Sequence, residues 1–190
     1  MYILFEGIDG CGKTTQIELL KEQFKDIVVT KEPGGTPFGV KARELLLHTK
    51  ITSSRAELLL FLADRAEHYS EVIAPNSDKL IVSDRGFLSG VAYALEAGFD
   101  LDFLIELNRF ALMECLPQKI VLFSIDRETL KQRVGSREQD KIEQRGFEYL
   151  LKIQESMQRV VEYMGLDYML IDATEPIDTI HTKIIEYINN

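Results

Sequence analysis

The chain has 190 residues, of which 45% are hydrophobic and 28% charged, and a formal net charge of −9. That is the size of one domain with a sizeable core. The acidic balance argues against a nucleic-acid partner, and no apolar run approaches the roughly 18 residues of a membrane span.

Tyr2-Ile3-Leu4-Phe5 has the apolar run of a strand and ends at Glu6. The start lacks the basic region of a signal peptide, so a cytoplasmic location is expected. Next comes Gly7-Ile8-Asp9-Gly10-Cys11-Gly12-Lys13-Thr14-Thr15, which fits G-x-x-x-x-G-K-T, a phosphate-binding loop. Residues 15–24 follow with helical spacing, and Ile17, Leu20 and Phe24 fall on one face. The pattern therefore has a strand before it and a helix after it, the context its chemistry requires. Its glycines let backbone N–H groups turn toward phosphate oxygens, and a helix starting near Lys13 adds its positive end. Lys13 is expected on the β- and γ-phosphates of a nucleotide, and the Thr14 hydroxyl on Mg²⁺.

A second strand is expected at 27–30, running into the punctuated loop Lys31-Glu32-Pro33-Gly34-Gly35-Thr36-Pro37. Residues 38–48 read as a helix carrying Arg43. Ser53 or Ser54 suits the N-cap of a long helix reaching about 73, with Glu57 as capping-box partner of Ser54. A third strand, 79–85, ends in Asp84-Arg85. Helices are expected near 89–97 and over 101–114, then a fourth strand at 119–126 and a short helix at 129–134. Residues 135–146 are almost wholly polar and read as a solvated connection or a lid. A helix at 147–164, a fifth strand at 168–172 and a helix at 177–188 complete the chain. Strands alternating with helices predict an α/β domain over 1–190, a parallel sheet covered on both faces. The strand C-termini then share one edge, which gathers the phosphate loop, Glu32 and Asp84-Arg85.

Three arginines, Arg43, Arg65 and Arg85, fall near that edge in an otherwise acidic chain. Phe61 and Arg65 are four residues apart on one helix face, a spacing that can stack a base and clamp a phosphate. A core Phe and a surface Arg paired with Asp64 or Glu67 have the same spacing. Asp84 suits Mg²⁺ held through water and Arg85 a phosphate, with a structural ion pair as the competing account. A lid arginine would neutralise the transferring group, an effect of roughly 10³–10⁵ in rate. Cys11 and Cys115 show neither CxxC nor zinc spacing. Cys11 is a small residue tolerated in the loop, or a thiol made sensitive to alkylation by the helix start and Lys13. His48, His68 and His181 are scattered and form no metal pattern.

Taken in order, these motifs resemble bacterial thymidylate kinases, which phosphorylate dTMP to dTDP for dTTP synthesis, over essentially the whole chain. The likeness rests on the stretch 5–16 around the phosphate loop and on Lys31-Glu32-Pro33-Gly34-Gly35-Thr36. It continues in Leu60-Phe61-Leu62-Ala63-Asp64-Arg65-Ala66-Glu67-His68, in Ser83-Asp84-Arg85 with Ser89 and Ala92-Tyr93, and in Asp140-Lys141-Ile142-Glu143. The resemblance implies the three-layer P-loop NTPase fold with five parallel strands, ATP with Mg²⁺, a homodimer, and a short lid at about 135–146. ATP would sit on Gly7, Ile8, Asp9, Gly10, Cys11, Gly12, Lys13, Thr14 and Thr15, with Thr14 and Asp84 toward the metal.

Position by position, the resemblance puts Phe61 on thymine, and Arg65, Arg85 and Arg43 on the dTMP region and its phosphate. Asp9 falls beside the 3′-hydroxyl and Tyr93 against the 2′ position, with Glu32 and Ser89 in the same substrate set. Gly10 matches members that place the catalytic basic residue in the lid. Arg137 is then the first choice beside Lys13 and Arg85, with Arg133 and Lys141 as alternates. The chain departs from the family at Gly86, where an aromatic or histidine is usual, at Gly90, where a second Ser or Thr is common, and at Ala94, where Gln stands near the base. These departures bear on the strictness of dTMP over dUMP. Other readings of the same features are a deoxynucleoside kinase with Glu32 as base, another nucleoside monophosphate kinase, and an ATP-switched regulatory module.

Overall fold

In the computed structural model, residues 1–134 and 146–190 are described. β1 (Tyr2–Glu6) is buried along its whole length, as suits the centre of a parallel sheet covered on both faces. It pairs with β3 (Ile81–Asp84) on one side and β4 (Lys119–Ser124) on the other, so that Leu4 lies opposite Ser83 and Ile120. β2 (Val28–Lys31) joins beyond β3 and β5 (Tyr168–Asp172) beyond β4, giving the all-parallel order β2-β3-β1-β4-β5.

The helices are α1 (Lys13–Gln23), α2 (Pro37–His48), α3 (Ser54–His68), α4 (Phe87–Glu96), α5 (Leu101–Ala111), α6 (Arg127–Val134), α7 (Phe147–Tyr163) and α8 (Ile177–Asn189). The chain steps one way from β1 to β2 and the opposite way in the later strand-to-strand crossings. Right-handed crossovers then put α1 on one face and the helices between β2 and β5 on the other. The packing agrees: α1 lies against α8, and α4 against α3, α5 and α7. Because β1 and β3 are neighbours whose chains leave to opposite faces, a crevice opens at their C-terminal ends.

One local alternative is settled and three expectations change. The N-cap of α3 is Ser53, whose hydroxyl accepts from the Ala56 N–H at 3.3 Å, so the Ser54–Glu57 capping box does not form. The α-helix stops at His68 and continues as a π turn, Tyr69–Ile73, and a 3₁₀ turn, Ala74–Asn76. Pro75 lacks an N–H and its ring crowds the preceding turn, so regular α geometry cannot pass it. α4 starts at Phe87, earlier than its sequence pattern indicates, because a carboxylate from β1 caps it. α5 ends at Ala111 because Met113 and Glu114 take left-handed backbone, φ 48° and 63°. Apart from Gly146, the expected lid lies outside the described residues, and Arg137 and Lys141 with it. No described helix is long and apolar enough to cross a membrane.

Candidate active site

The loop after β1 turns at Gly7, whose φ is +146° and where a Cβ would lie 2.9 Å from both the Phe123 carbonyl oxygen and Cys11 Sγ. Backbone angle and space both exclude a side chain there. Lys13, the first residue of α1, folds back so that Nζ donates to the carbonyls of Gly7 at 2.9 Å and Ile8 at 3.2 Å. Cys11 is buried, its sulfur 3.7 Å from that amine. Thr14 and Thr15 line a polar cleft with Asp9, Gly10, Gly12, Lys31, Asp84 and Arg85.

Arg85 crosses the crevice. Its backbone φ of 68° is unusual for a side-chain-bearing residue, and such strain gathers at functional sites. The conformation is held by its N–H donating to the Phe5 carbonyl and by its own carbonyl accepting from the Ser83 hydroxyl at 2.7 Å. The guanidinium donates to the Gly7 carbonyl at 2.8 Å, the Ser89 hydroxyl at 3.2 Å and Asp9 Oδ1 at 2.9 Å. Burial opposes its charge, but Asp9, then Tyr93, Glu6 and Asp84, outweigh burial and raise its pKa. Arg85 therefore pairs with Asp9 rather than with its neighbour Asp84. Asp84 Oδ1 is buried and has no hydrogen-bond partner among the described residues.

Glu6, fully buried at the end of β1, anchors the opposite wall. One oxygen accepts from the N–H groups of Gly86 at 2.9 Å and Ser89 at 3.2 Å, and the other from the Ser89 hydroxyl. This negative group at the start of α4 satisfies two otherwise orphan donors. Burial nevertheless pushes the Glu6 pKa up, against the Ser89 hydrogen bond and the charge of Arg85.

Arg65 is 2% exposed, so it is not a surface residue paired with Asp64 or Glu67. Its Nε donates to Glu32 at 2.9 Å, one terminal nitrogen to Asn108 Oδ1 at 2.6 Å and the other to the Gly86 carbonyl at 3.1 Å. The other Glu32 oxygen meets His68 Nδ1 at 2.8 Å, and His68 Nε2 meets the Thr30 hydroxyl at 2.6 Å. Burial works to raise the Glu32 pKa, but Arg65 and His68 hold it below the usual carboxylate range. Arg43 donates to the Pro33 carbonyl at 3.0 Å.

These groups converge. One cavity is lined by Asp9, Glu32, Arg43, Phe61, Arg65, Arg85, Ser89 and Tyr93, together with Pro33, Leu47, Gly86 and Gly90, and it adjoins the polar cleft through Asp9, Arg43 and Arg85. The substrate set read from sequence is thus assembled around one space. Arg133 lies on the far side of the phosphate loop, donating to the carbonyls of Gly10 at 3.3 Å and Ala173 at 2.8 Å. Glu6, His68 and Asn108 escaped the sequence reading. Glu6 stands just before the loop motif, His68 looked like a scattered histidine, and Asn108 is one polar residue in an amphipathic helix.

The comparisons with known proteins agree with this geometry. The thymidylate kinase family model matches residues 5–184. A thymidylate kinase from Sulfurovum sp. (strain NBC37-1) is 58% identical over 189 residues, covering 99% of each chain. One from Campylobacter concisus is 52% identical over 193 residues, covering 100% of this chain and 99% of its own. The crystal structure of thymidylate kinase from Ehrlichia chaffeensis superposes with a TM-score of 0.78 at 27% identity, covering 100% of this chain and 98% of that one. With the motifs, the sheet order and these full-length matches in agreement, the chain belongs to the thymidylate kinase family.

Proposed function

We propose that the protein transfers the γ-phosphoryl group of ATP to dTMP, giving dTDP and ADP. The observation that carries the reading is Arg85, held between the phosphate loop and the acceptor cavity by Gly7, Asp9 and Ser89. From there one guanidinium reaches both the donor and the acceptor phosphate. ATP lies on residues 7–15, where Lys13 exchanges its carbonyl contacts for β- and γ-phosphate oxygens. dTMP lies with its base on Phe61, its edge toward Arg65, its sugar between Asp9 and Tyr93, and its phosphate toward Arg85 and Arg43.

The acceptor is a phosphate oxygen. The second pKa of a phosphate monoester is about 6, so near neutral pH no general base is needed. Glu32 fits that account. Buried, ion-paired with Arg65, hydrogen-bonded to His68 and held low in pKa, it is a poor base for the sugar-hydroxyl chemistry of a nucleoside kinase. What remains for the protein is alignment and charge neutralisation.

The site suits Mg²⁺: Asp84, whose Oδ1 is buried without a hydrogen-bond partner among the described residues, lines the cleft that Thr14 also lines. Thr14 and Asp84 would hold the ion, Asp84 partly through water, and the ion supplies charge neutralisation on the phosphate oxygens. The catalytic lid residue is assigned to Arg137, outside the described residues. The reading also takes the protein as a cytoplasmic homodimer.

An ADP-release assay with ATP·Mg²⁺ against dTMP, dUMP, dCMP, AMP and thymidine tests the proposal. Turnover should be strongest with dTMP and negligible with thymidine. Lys13→Ala and Arg85→Ala should each lower kcat by about 10²–10⁴. Near-normal turnover in either variant overturns the mechanism.

A further inference from the structure

α3 and α4 border the acceptor cavity running in opposite senses. At one end Arg65 donates to the Gly86 carbonyl; in the middle Phe61 lines the cavity with Gly90 and Tyr93. The groove does not stop there. A second cavity continues past Phe61, Gly90 and Tyr93, the three residues it shares with the first. Beyond them its walls are mainly Leu58, Ala94, Ala97 and Phe99, with Ser54 and Glu57 as its polar members. Leu58 and Ala94 are buried. The space exists because α4 and the residue that follows it present small residues to the cavity: Gly90 has no side chain, and a Cβ there would come within 3.2 Å of Arg65, while Ala94 and, just past the helix, Ala97 carry one methyl each.

Resting on the acceptor reading above, we propose that this annex belongs to the acceptor site and takes an apolar group carried on the base of a pyrimidine nucleoside monophosphate. The ligand class is therefore a base-extended pyrimidine monophosphate, wider than dTMP itself. The recognition is apolar burial against Leu58, Ala94 and Phe99. The phosphate stays with Arg85 and Arg43, so the extended ligand and dTMP compete for one place.

The test uses two probes, 5-phenyl-dUMP and N3-benzyl-dTMP, measured as competitors of dTMP turnover. They are compared in the unmodified protein and in Ala94→Leu, which fills the annex. At least one probe should bind about tenfold more weakly to Ala94→Leu, the scale expected when about two methylene-sized groups lose their burial. The KM for dTMP should stay within about threefold, since dTMP does not enter the annex. Ala97→Phe, at the outer end, should give the same selective loss and serves if Ala94→Leu folds poorly. Equal inhibition of the unmodified and filled proteins by both probes, with dTMP turnover intact, overturns the annex. Absence of dTMP turnover in the unmodified protein overturns the acceptor reading, and the ligand class with it.

Discussion

At Asp64, burial outweighs the favourable contacts of the carboxylate. One oxygen accepts from the Gly34 N–H at 3.1 Å; the other is buried with no partner among the described residues. Burial first, and the nearby Glu32 second, push its pKa up to about 6 from the ordinary 3.8. The folded state therefore binds more protons than the unfolded chain between those values. Stability falls as pH rises through that window, and the loss is complete above it. Asp64→Asn keeps the Gly34 contact without the charge. It should stabilise the protein at pH 7.5 on the order of 1–3 kcal/mol and flatten that pH dependence in urea melts.

Asn108 is the second residue to test. It orients Arg65 through Oδ1 and is itself held by donating to the Leu104 carbonyl at 2.7 Å. Asn108→Leu should raise the KM for dTMP about tenfold, the scale of one lost hydrogen bond to a charged group, while the KM for ATP stays unchanged. Asn108→Asp, which keeps an acceptor oxygen facing Arg65, should restore most of the loss. If the KM for ATP also rises and kcat falls, Asn108 is structural rather than positioning.

At the scale of elements, the placement of α4 decides the acceptor wall. Its first turn is tied to β1 by Glu6, and its last turn to α7, where Glu96 accepts from the Ser156 hydroxyl at 2.6 Å and pairs with Lys152 at 2.5 Å. The ring of Tyr93 lies 6.3 Å from that of Tyr149 on the same α7. Ser89→Ala removes a donor to Glu6 and an acceptor for Arg85 together. It should destabilise the fold by about 1–2 kcal/mol in chemical denaturation and lower kcat/KM for dTMP several-fold. An unchanged kcat/KM would show that Arg85 is positioned without Ser89. The phosphate loop with its flanking strand and helix was legible in the sequence because its chemistry demands fixed residues at fixed spacing. The early start of α4 was not, because its cap comes from a residue 80 positions away in sequence.

At the scale of the molecule, the proposed homodimer needs an apolar face. Leu59 on α3, Phe110 on α5 and Met113 just beyond are more than half exposed. The run 58–62, greasier in sequence than one buried face requires, buries Leu58 and Leu62 while Leu59 points outward. Sedimentation should give about twice the 21.7 kDa chain mass, and the double variant Leu59→Glu, Phe110→Glu should shift it to the single-chain mass, since buried unpaired charge opposes association. A single-chain mass for the unmodified protein at micromolar concentration would sink the dimer reading.

Local pattern alone determined the alternation of strands and helices, the phosphate loop with Lys13 and Thr14, and hence an α/β nucleotide-binding domain. Those features depend on hydrophobic period and on motif spacing, both of which are written along the chain. Only the tertiary structure decided which charges meet. Arg65 chose Glu32 and Asn108 over its helix neighbours, Arg85 chose Asp9 over Asp84, and Glu6 became the cap of α4. A buried ion must take whichever opposite charge or dipole the packing brings within hydrogen-bond reach. In a parallel sheet those partners come from strands and helices far apart in sequence.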